Sequence, residues 1–159
     1  MSKNAGLHIE VSGIVQGVGF RPFVYALAES LHLTGWVRNT SGGVQIALNG
    51  PPEALQAFLD ALQHHPPPLA RLDHIETLSV PPSSAERFEI IASQPRPDQF
   101  MPISPDRAIC SDCRRELFDS SDRRYRYPFL NCTNCGPRFT ILRDIPYDRP
   151  NTTLTDFPL

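Results

Sequence analysis

Along residues 7–91 the apolar positions switch between two periods. Leu7, Ile9 and Val11 alternate with His8 and Glu10, the rhythm of a half-buried strand. Phe20, Val24, Leu27 and Leu31 then recur at helical spacing. They predict a helix that opens just after Gly19, with Pro22 near its first turn, where a missing N–H costs little. Thr34-Gly35 ends it. Residues 36–39 and 44–48 predict two strands joined by the tight turn Ser41-Gly42-Gly43. Gly50-Pro51-Pro52 opens a second helix carrying Leu55, Phe58, Leu59 and Leu62 on one face, and Pro66-Pro67-Pro68 closes that segment. Residues 75–80 and 87–91 predict two more strands, split by Pro81-Pro82-Ser83-Ser84.

The order is β-α-β-β-α-β with one further short strand. This predicts an α+β fold of the ferredoxin-like kind: an antiparallel sheet with both helices on one face, over residues 1–92. Residues 93–105 change character. Pro95, Pro97, Pro102 and Pro105 punctuate a stretch of little periodicity, which predicts an extended linker. Residues 106–159 would then form a separate module. Its last stretch, from Asp148 onward, shows no pattern able to bury itself.

Composition narrows the class. Hydrophobic residues make up 40% of 159, enough for a packed core. A net charge of −2 provides no global field for nucleic acid or a membrane surface. Lys3 is the only lysine, so nearly every cation is a guanidinium, the better planar partner for phosphate. No run of 18 apolar residues exists to span a membrane, and the N-terminus lacks an apolar signal core, so the sequence predicts a cytoplasmic protein.

Two segments carry candidate chemistry. Residues 13–21 read Gly-Ile-Val-Gln-Gly-Val-Gly-Phe-Arg, between a strand and a helix start. Backbone N–H groups can converge there on an anion, with Arg21 adding a forked grip. By itself a Gly-rich turn is equally well an ordinary connection. The second segment holds all four cysteines, in two C-x-x-C pairs, Cys110/Cys113 and Cys132/Cys135, with 18 residues between the pairs. In a reducing compartment this spacing predicts a closed, structural four-thiolate zinc site, with disulfides or free thiols as the alternatives. Between the pairs, residues 122–127 interleave arginines with tyrosines. That can suit nucleic acid, but each arginine has acidic neighbours, and a covering role for Tyr125, Tyr127 and Phe129 over the cysteines is the stronger reading.

The loop string resembles the acylphosphatase signature G-x-V-Q-G-V-x-F-R. Gly35-Trp36-Val37-Arg38-Asn39, continuing through Gly43-Val44, resembles that family's second signature, G-W-V-R-N-x-x-x-G-x-V. Together they cover about residues 7–92. The resemblance implies that Arg21 holds the phosphoryl group with the backbone N–H groups of Gln16, Gly17, Val18, Gly19, Phe20 and Arg21. It implies that Asn39 orients the attacking water. His8, His32, His64, His65 and His74 match neither signature, and Arg38 reads as structural or solvated.

An acylphosphatase-like domain followed by this cysteine spacing, then by residues 128–140 and 144–153, resembles the N-terminal part of the HypF family. These are the carbamoyltransferases that mature [NiFe] hydrogenases. The family resemblance implies carbamoyl phosphate as substrate, structural zinc, no cofactor for the hydrolysis step, and a HypE-like acceptor protein for the full-length enzyme. A second cysteine cluster and the large downstream domains of that family have no counterpart here, so the chain reads as a fragment. The resemblance also implies separable roles. Asn39→Ala should slow turnover while leaving anion binding, and chelation should loosen residues from about 106 onward while hydrolysis persists.

Overall fold

The computed structural model describes residues 4–155. Five strands and two helices form the first domain: β1 (Ala5–Ile14), α1 (Phe20–Ser30), β2 (Thr34–Thr40), β3 (Gly43–Gly50), α2 (Pro52–His64), β4 (Arg71–Val80) and β5 (Phe88–Ile90). The sheet order is β4-β1-β3-β2-β5. Four strands pair antiparallel, whereas the short β5 runs parallel to β2 along its outer edge, so the sheet is mixed at that edge. The predicted α+β ferredoxin-like arrangement is the observed one.

Register explains the two faces. Ile9 pairs with Ile46, which pairs with Val37, and Val11 pairs with Val44, which pairs with Asn39. Side chains in such rows share one face of the pleat. Ile9, Val11, Val37, Val44 and Ile46 are all buried, in one cluster with Val24 and Ala28 of α1 and Leu55, Phe58 and Leu62 of α2. Asn39 therefore enters the helix-facing layer as the polar member of an otherwise apolar row. One residue earlier the pleat sends Arg38 to the opposite face, where its guanidinium lies 4.8 Å over the Trp36 ring and Nε donates to Gln45 Oε1 at 3.0 Å. Arg38 is thereby structural, as expected.

Three sequence expectations change. β4 begins at Arg71 and not at Ile75, because it follows β1 to its very end, past a register shift at Ser12/Gly13. As an edge strand it buries neither face fully, so no alternation marked it. Residues 93–105 are not a free linker. Gln94 N–H donates to Asn39 O at 2.9 Å, Arg96 N–H donates to Ser41 Oγ at 3.0 Å, and Met101 is buried in the first domain's core. The segment 148–155 also has structure, held by hydrogen bonds in place of apolar burial. Residues 149–151 form a 3-10 turn, Thr152 bridges to Leu142, and Thr152 Oγ1 donates to Arg149 O at 2.8 Å.

The second module has one short helix, α3 (Ser111–Phe118), and a core of Cys113, Leu130 and Cys135 with Leu117, Tyr127, Cys110 and Cys132 against it. Within the Arg/Tyr run, Arg124 is used internally: it pairs with Glu116 at 2.8 Å and donates to Asn131 O. Tyr127 packs on the cysteine core as predicted, while Tyr125 and Phe129 are exposed at their rims.

Candidate active site and metal centre

Residues 16–19 form a run of bends between β1 and α1, and among the described residues their backbone N–H groups donate no hydrogen bond. Gly17 and Gly19 have φ of 72° and 79°, a left-handed conformation that any side chain would strain. Gly19 is also the N-cap of α1 and supplies no side-chain acceptor, so the first turn of the helix is left uncapped by protein. Unmatched donors at a helix start form a concavity suited to an anion. Gln16 anchors the loop from behind. Its buried amide donates to Thr40 O at 2.7 Å and Gly43 O at 2.8 Å, tying the loop to the β2–β3 turn. Gln16 thus belongs to the loop through its backbone, while its side chain is a structural tie.

Arg21 stands one residue inside α1, and Asn39 meets it from β2. With its oxygen toward the guanidinium, the orientation that satisfies both groups, Asn39 accepts from Arg21 Nε at 3.2 Å and Nη2 at 3.1 Å. Arg21, Asn39 and the loop are therefore brought together as the signatures imply. No histidine joins them: His64 bonds Asp60 O, His74 bonds Glu76, and His8 contacts Trp36.

The second module closes over this site, which periodicity did not predict. Tyr147 N–H donates to Gln16 Oε1 at 2.8 Å, and Arg21 Nη2 donates to Asp148 Oδ1 at 3.1 Å. A Cβ added at Gly17 would lie 2.9 Å from Pro137 Cβ and 3.0 Å from Tyr147 Cδ1; one at Gly19 would lie 3.3 Å from Thr133 Cβ. Burial raises the Tyr147 phenol, so it stays neutral, and its oxygen accepts from Arg138 N at 3.4 Å. Asp148 could not have been singled out from local sequence, because its contact spans 127 residues.

Cys110, Cys113, Cys132 and Cys135 place their sulfurs within 4.8 Å of one another, and three of the separations are 3.5, 3.9 and 4.0 Å. These are far from a disulfide bond of about 2.0 Å. They match the edges, about 3.8 Å, of a tetrahedron with arms of about 2.3 Å, the length of a Zn–thiolate bond. Arg138 is a second residue that spacing did not flag. Its Nη2 donates to Cys135 Sγ at 3.2 Å, and its Nη1 reaches the Cys135, Gly136 and Pro137 carbonyls. Burial pushes the Cys135 thiol up, but backbone N–H groups and Arg138 outweigh it and bring it down to about 6. Burial raises Cys113 and Cys132. No helix of the described residues is long and apolar enough to cross a membrane.

Comparison with known proteins agrees with this geometry. The acylphosphatase family model matches residues 7–90, and the HypF finger model matches residues 109–142. The chain is 48% identical over 155 residues to "Carbamoyltransferase HypF2" of Cupriavidus necator, covering 96% of this chain and 19% of that protein. It is 37% identical over 90 residues to the acylphosphatase of Thermococcus kodakarensis, covering 56% of this chain and 98% of that one. A crystal structure of full-length HypF in the phosphate- and nucleotide-bound form superposes with a TM-score of 0.89 at 46% identity, over 99% of this chain and 21% of that one. The chain thus spans about a fifth of the length of the HypF relatives it matches. With its loop, its Arg21–Asn39 pair and its cysteine cluster in place, the chain belongs to the acylphosphatase family and joins that domain to a HypF finger, in the arrangement of the N-terminal part of HypF carbamoyltransferases.

Proposed function

We propose that this chain hydrolyses an acyl phosphate, carbamoyl phosphate foremost, within the carbamoyl-transfer chemistry of hydrogenase maturation. The observation that carries the reading is the convergence of unpaired loop N–H groups with Arg21 and Asn39. The phosphoryl oxygens would lie among the N–H groups of residues 16–21, with Arg21 donating from its free Nη1. Asn39, through its side-chain amide, would hold the attacking water. The water oxygen bonds to phosphorus as the P–O bond to the carbamoyl group breaks. The electron pair leaves with carbamate, and both water protons end on phosphate, giving carbamate and dihydrogen phosphate. No side chain is asked to be a strong base. In phosphoryl transfer, positioning and charge stabilisation carry most of the catalysis, and carbamate is a good leaving group.

Cys110, Cys113, Cys132 and Cys135 would hold a structural Zn²⁺. Four thiolates leave no open position, so the metal's contribution would be to organise residues 106–155 and not to activate water. A HypE-like acceptor protein and a cytoplasmic location belong to the same reading and rest on the resemblance to HypF.

The test is phosphate release by this chain from carbamoyl phosphate and acetyl phosphate. Arg21→Ala should lower turnover by about 10²–10³-fold or more, the scale on which loss of one preorganised donor acts, with the fold retained. Arg21→Lys should rescue poorly, because a point charge cannot replace a fork. Asn39→Ala should slow turnover as strongly. Since Asn39 also accepts two bonds from Arg21, a moderate loss of inorganic phosphate affinity should accompany it. Turnover near wild type in folded Arg21→Ala protein would remove the assignment. A second reading, an anion-binding and partner-docking module without turnover, predicts phosphate binding but no release from either substrate.

A further inference from the structure

Arg21 has five N–H donors. Asn39 takes the Nε donor and one Nη2 donor, and Asp148 Oδ1 takes another from Nη2 at 3.1 Å. The two Nη1 donors have no protein partner among the described residues. A phosphoryl group gripped by the two Nη1 donors would therefore lie beside the Asp148 carboxylate, which holds a donor of the neighbouring Nη2. That carboxylate is only partly exposed, at 29%, and its Oδ2 accepts no hydrogen bond among the described residues. A phosphate and this carboxylate would share the single charge of Arg21, which is unfavourable unless the ligand brings something for the carboxylate to accept.

The acyl group of a substrate held in the loop must project outward, toward whatever covers the loop. That cover is Pro137, Tyr147 and Thr133, and beside them stands Asp148. Within this cover Asp148 is the acidic side chain that bonds Arg21. Carbamoyl and acetyl phosphate have nearly the same shape and differ by NH₂ against CH₃. Only the first offers N–H donors to a carboxylate. A site built around a hydrogen-bond acceptor discriminates against an analogue that cannot satisfy it, by less where the acceptor is only partly buried.

We propose that Asp148, supplied to the phosphate site by the second module, is a specificity-determining residue. It accepts a hydrogen bond from the carbamoyl N–H and disfavours acyl phosphates without that donor, and free inorganic phosphate, by charge. This rests on the reading of residues 13–21 as an acyl-phosphate site. The side chain can be altered without losing its turn, because the backbone of Asp148 makes its own bonds to Pro146 O and Asn151 N.

The experiment measures kcat/KM for carbamoyl and acetyl phosphate, and inhibition by inorganic phosphate, on the 159-residue chain and its Asp148→Ala and Asp148→Asn variants. The expected result is a carbamoyl-to-acetyl preference that falls at least about tenfold in Asp148→Ala, with inorganic phosphate binding on the order of tenfold tighter. Asp148→Asn keeps an acceptor oxygen without the charge. It should tighten phosphate similarly and retain more of the preference. An unchanged preference overturns the proposal, whether both rates fall together, as for a residue that merely steadies Arg21, or neither moves. Weaker phosphate binding in Asp148→Ala overturns it as well. Failure of the underlying reading looks different: Arg21→Ala would then leave phosphate binding and both rates untouched. If the chain turns over neither substrate, the preference is read from how well each displaces bound inorganic phosphate, with the same outcomes.

Discussion

Residues 5–90 and residues 106–155 touch at the Gly-rich loop before α1 but are held together by different forces. The first region buries a continuous cluster that includes Ile9, Phe20, Val24, Val37, Ile46, Phe58 and Leu62, all less than 2% exposed. The buried core of the second is Leu130 and two cysteines. Apolar burial contributes about 25 cal/mol per Å², so a core that small cannot offset the ordering of some fifty residues. The difference teaches where each region's stability comes from. The sheet domain is held by its own packing. The second module would depend on joining four thiolates through the proposed metal, and it uses side-chain-to-backbone hydrogen bonds such as those the Arg138 guanidinium makes to three consecutive carbonyls. Function then joins what stability separates, since Tyr147 and Asp148 reach the loop from the module with the weaker core.

The most severe way to break the comparison is to remove the metal. Structural zinc contributes about 10–16 kcal/mol of apparent binding free energy in small fingers. Stripping it with a strong chelator, or making Cys135→Ser, should render residues from about 106 onward protease-sensitive while residues 5–90 stay resistant. The contacts at Gly17, Gly19 and Arg21 sharpen the expectation for activity. Hydrolysis of acetyl phosphate should persist, and preference for carbamoyl phosphate should decline. Limited proteolysis and both rates measured on one sample decide this. Equal loss of resistance in both regions would show that the sheet domain is not self-supporting.

Phe58→Ala attacks the other region. Its side chain is fully buried between α2 and the sheet, and the change should cost about 3–5 kcal/mol. Thermal or urea unfolding should show the loss, while the metal content per chain does not change. Far smaller is the effect of Arg115→Ala. It breaks the exposed Arg115–Asp112 pair on α3, whose side chains are 67% and 47% exposed. Such pairs contribute about 0–1 kcal/mol, and added salt should abolish even that. A large effect there would mean that α3 contributes to the module's stability through more than its cysteines.

Much of the first domain was legible in residue order, for a definite reason. Helix and strand periods act over a few residues, and the two signatures place Arg21 and Asn39 at the ends of segments that the pattern already marks as a helix and a strand. Strand alternation accounts for the split between Arg38 and Asn39, which face opposite sides of β2. Legibility failed where burial was partial. The first part of β4 lies at a sheet edge with both faces wet, and residues 93–105 pack through backbone bonds and one buried methionine.

The sequence by itself determined the βαββαβ order, the Gly-rich loop with its arginine and asparagine, and the four clustered thiols. These depend on spacing within short segments and on the intrinsic chemistry of Gly, Arg, Asn and Cys. Only the tertiary structure decided that Gln16 is tied by its side chain to the β2–β3 turn, that Arg138 serves Cys135, and that Asp148 accepts a hydrogen bond from Arg21 across 127 residues. Such pairings leave no periodic trace. They arise when two independently ordered regions dock, and one carboxylate among many meets the guanidinium that two other groups have already fixed in place.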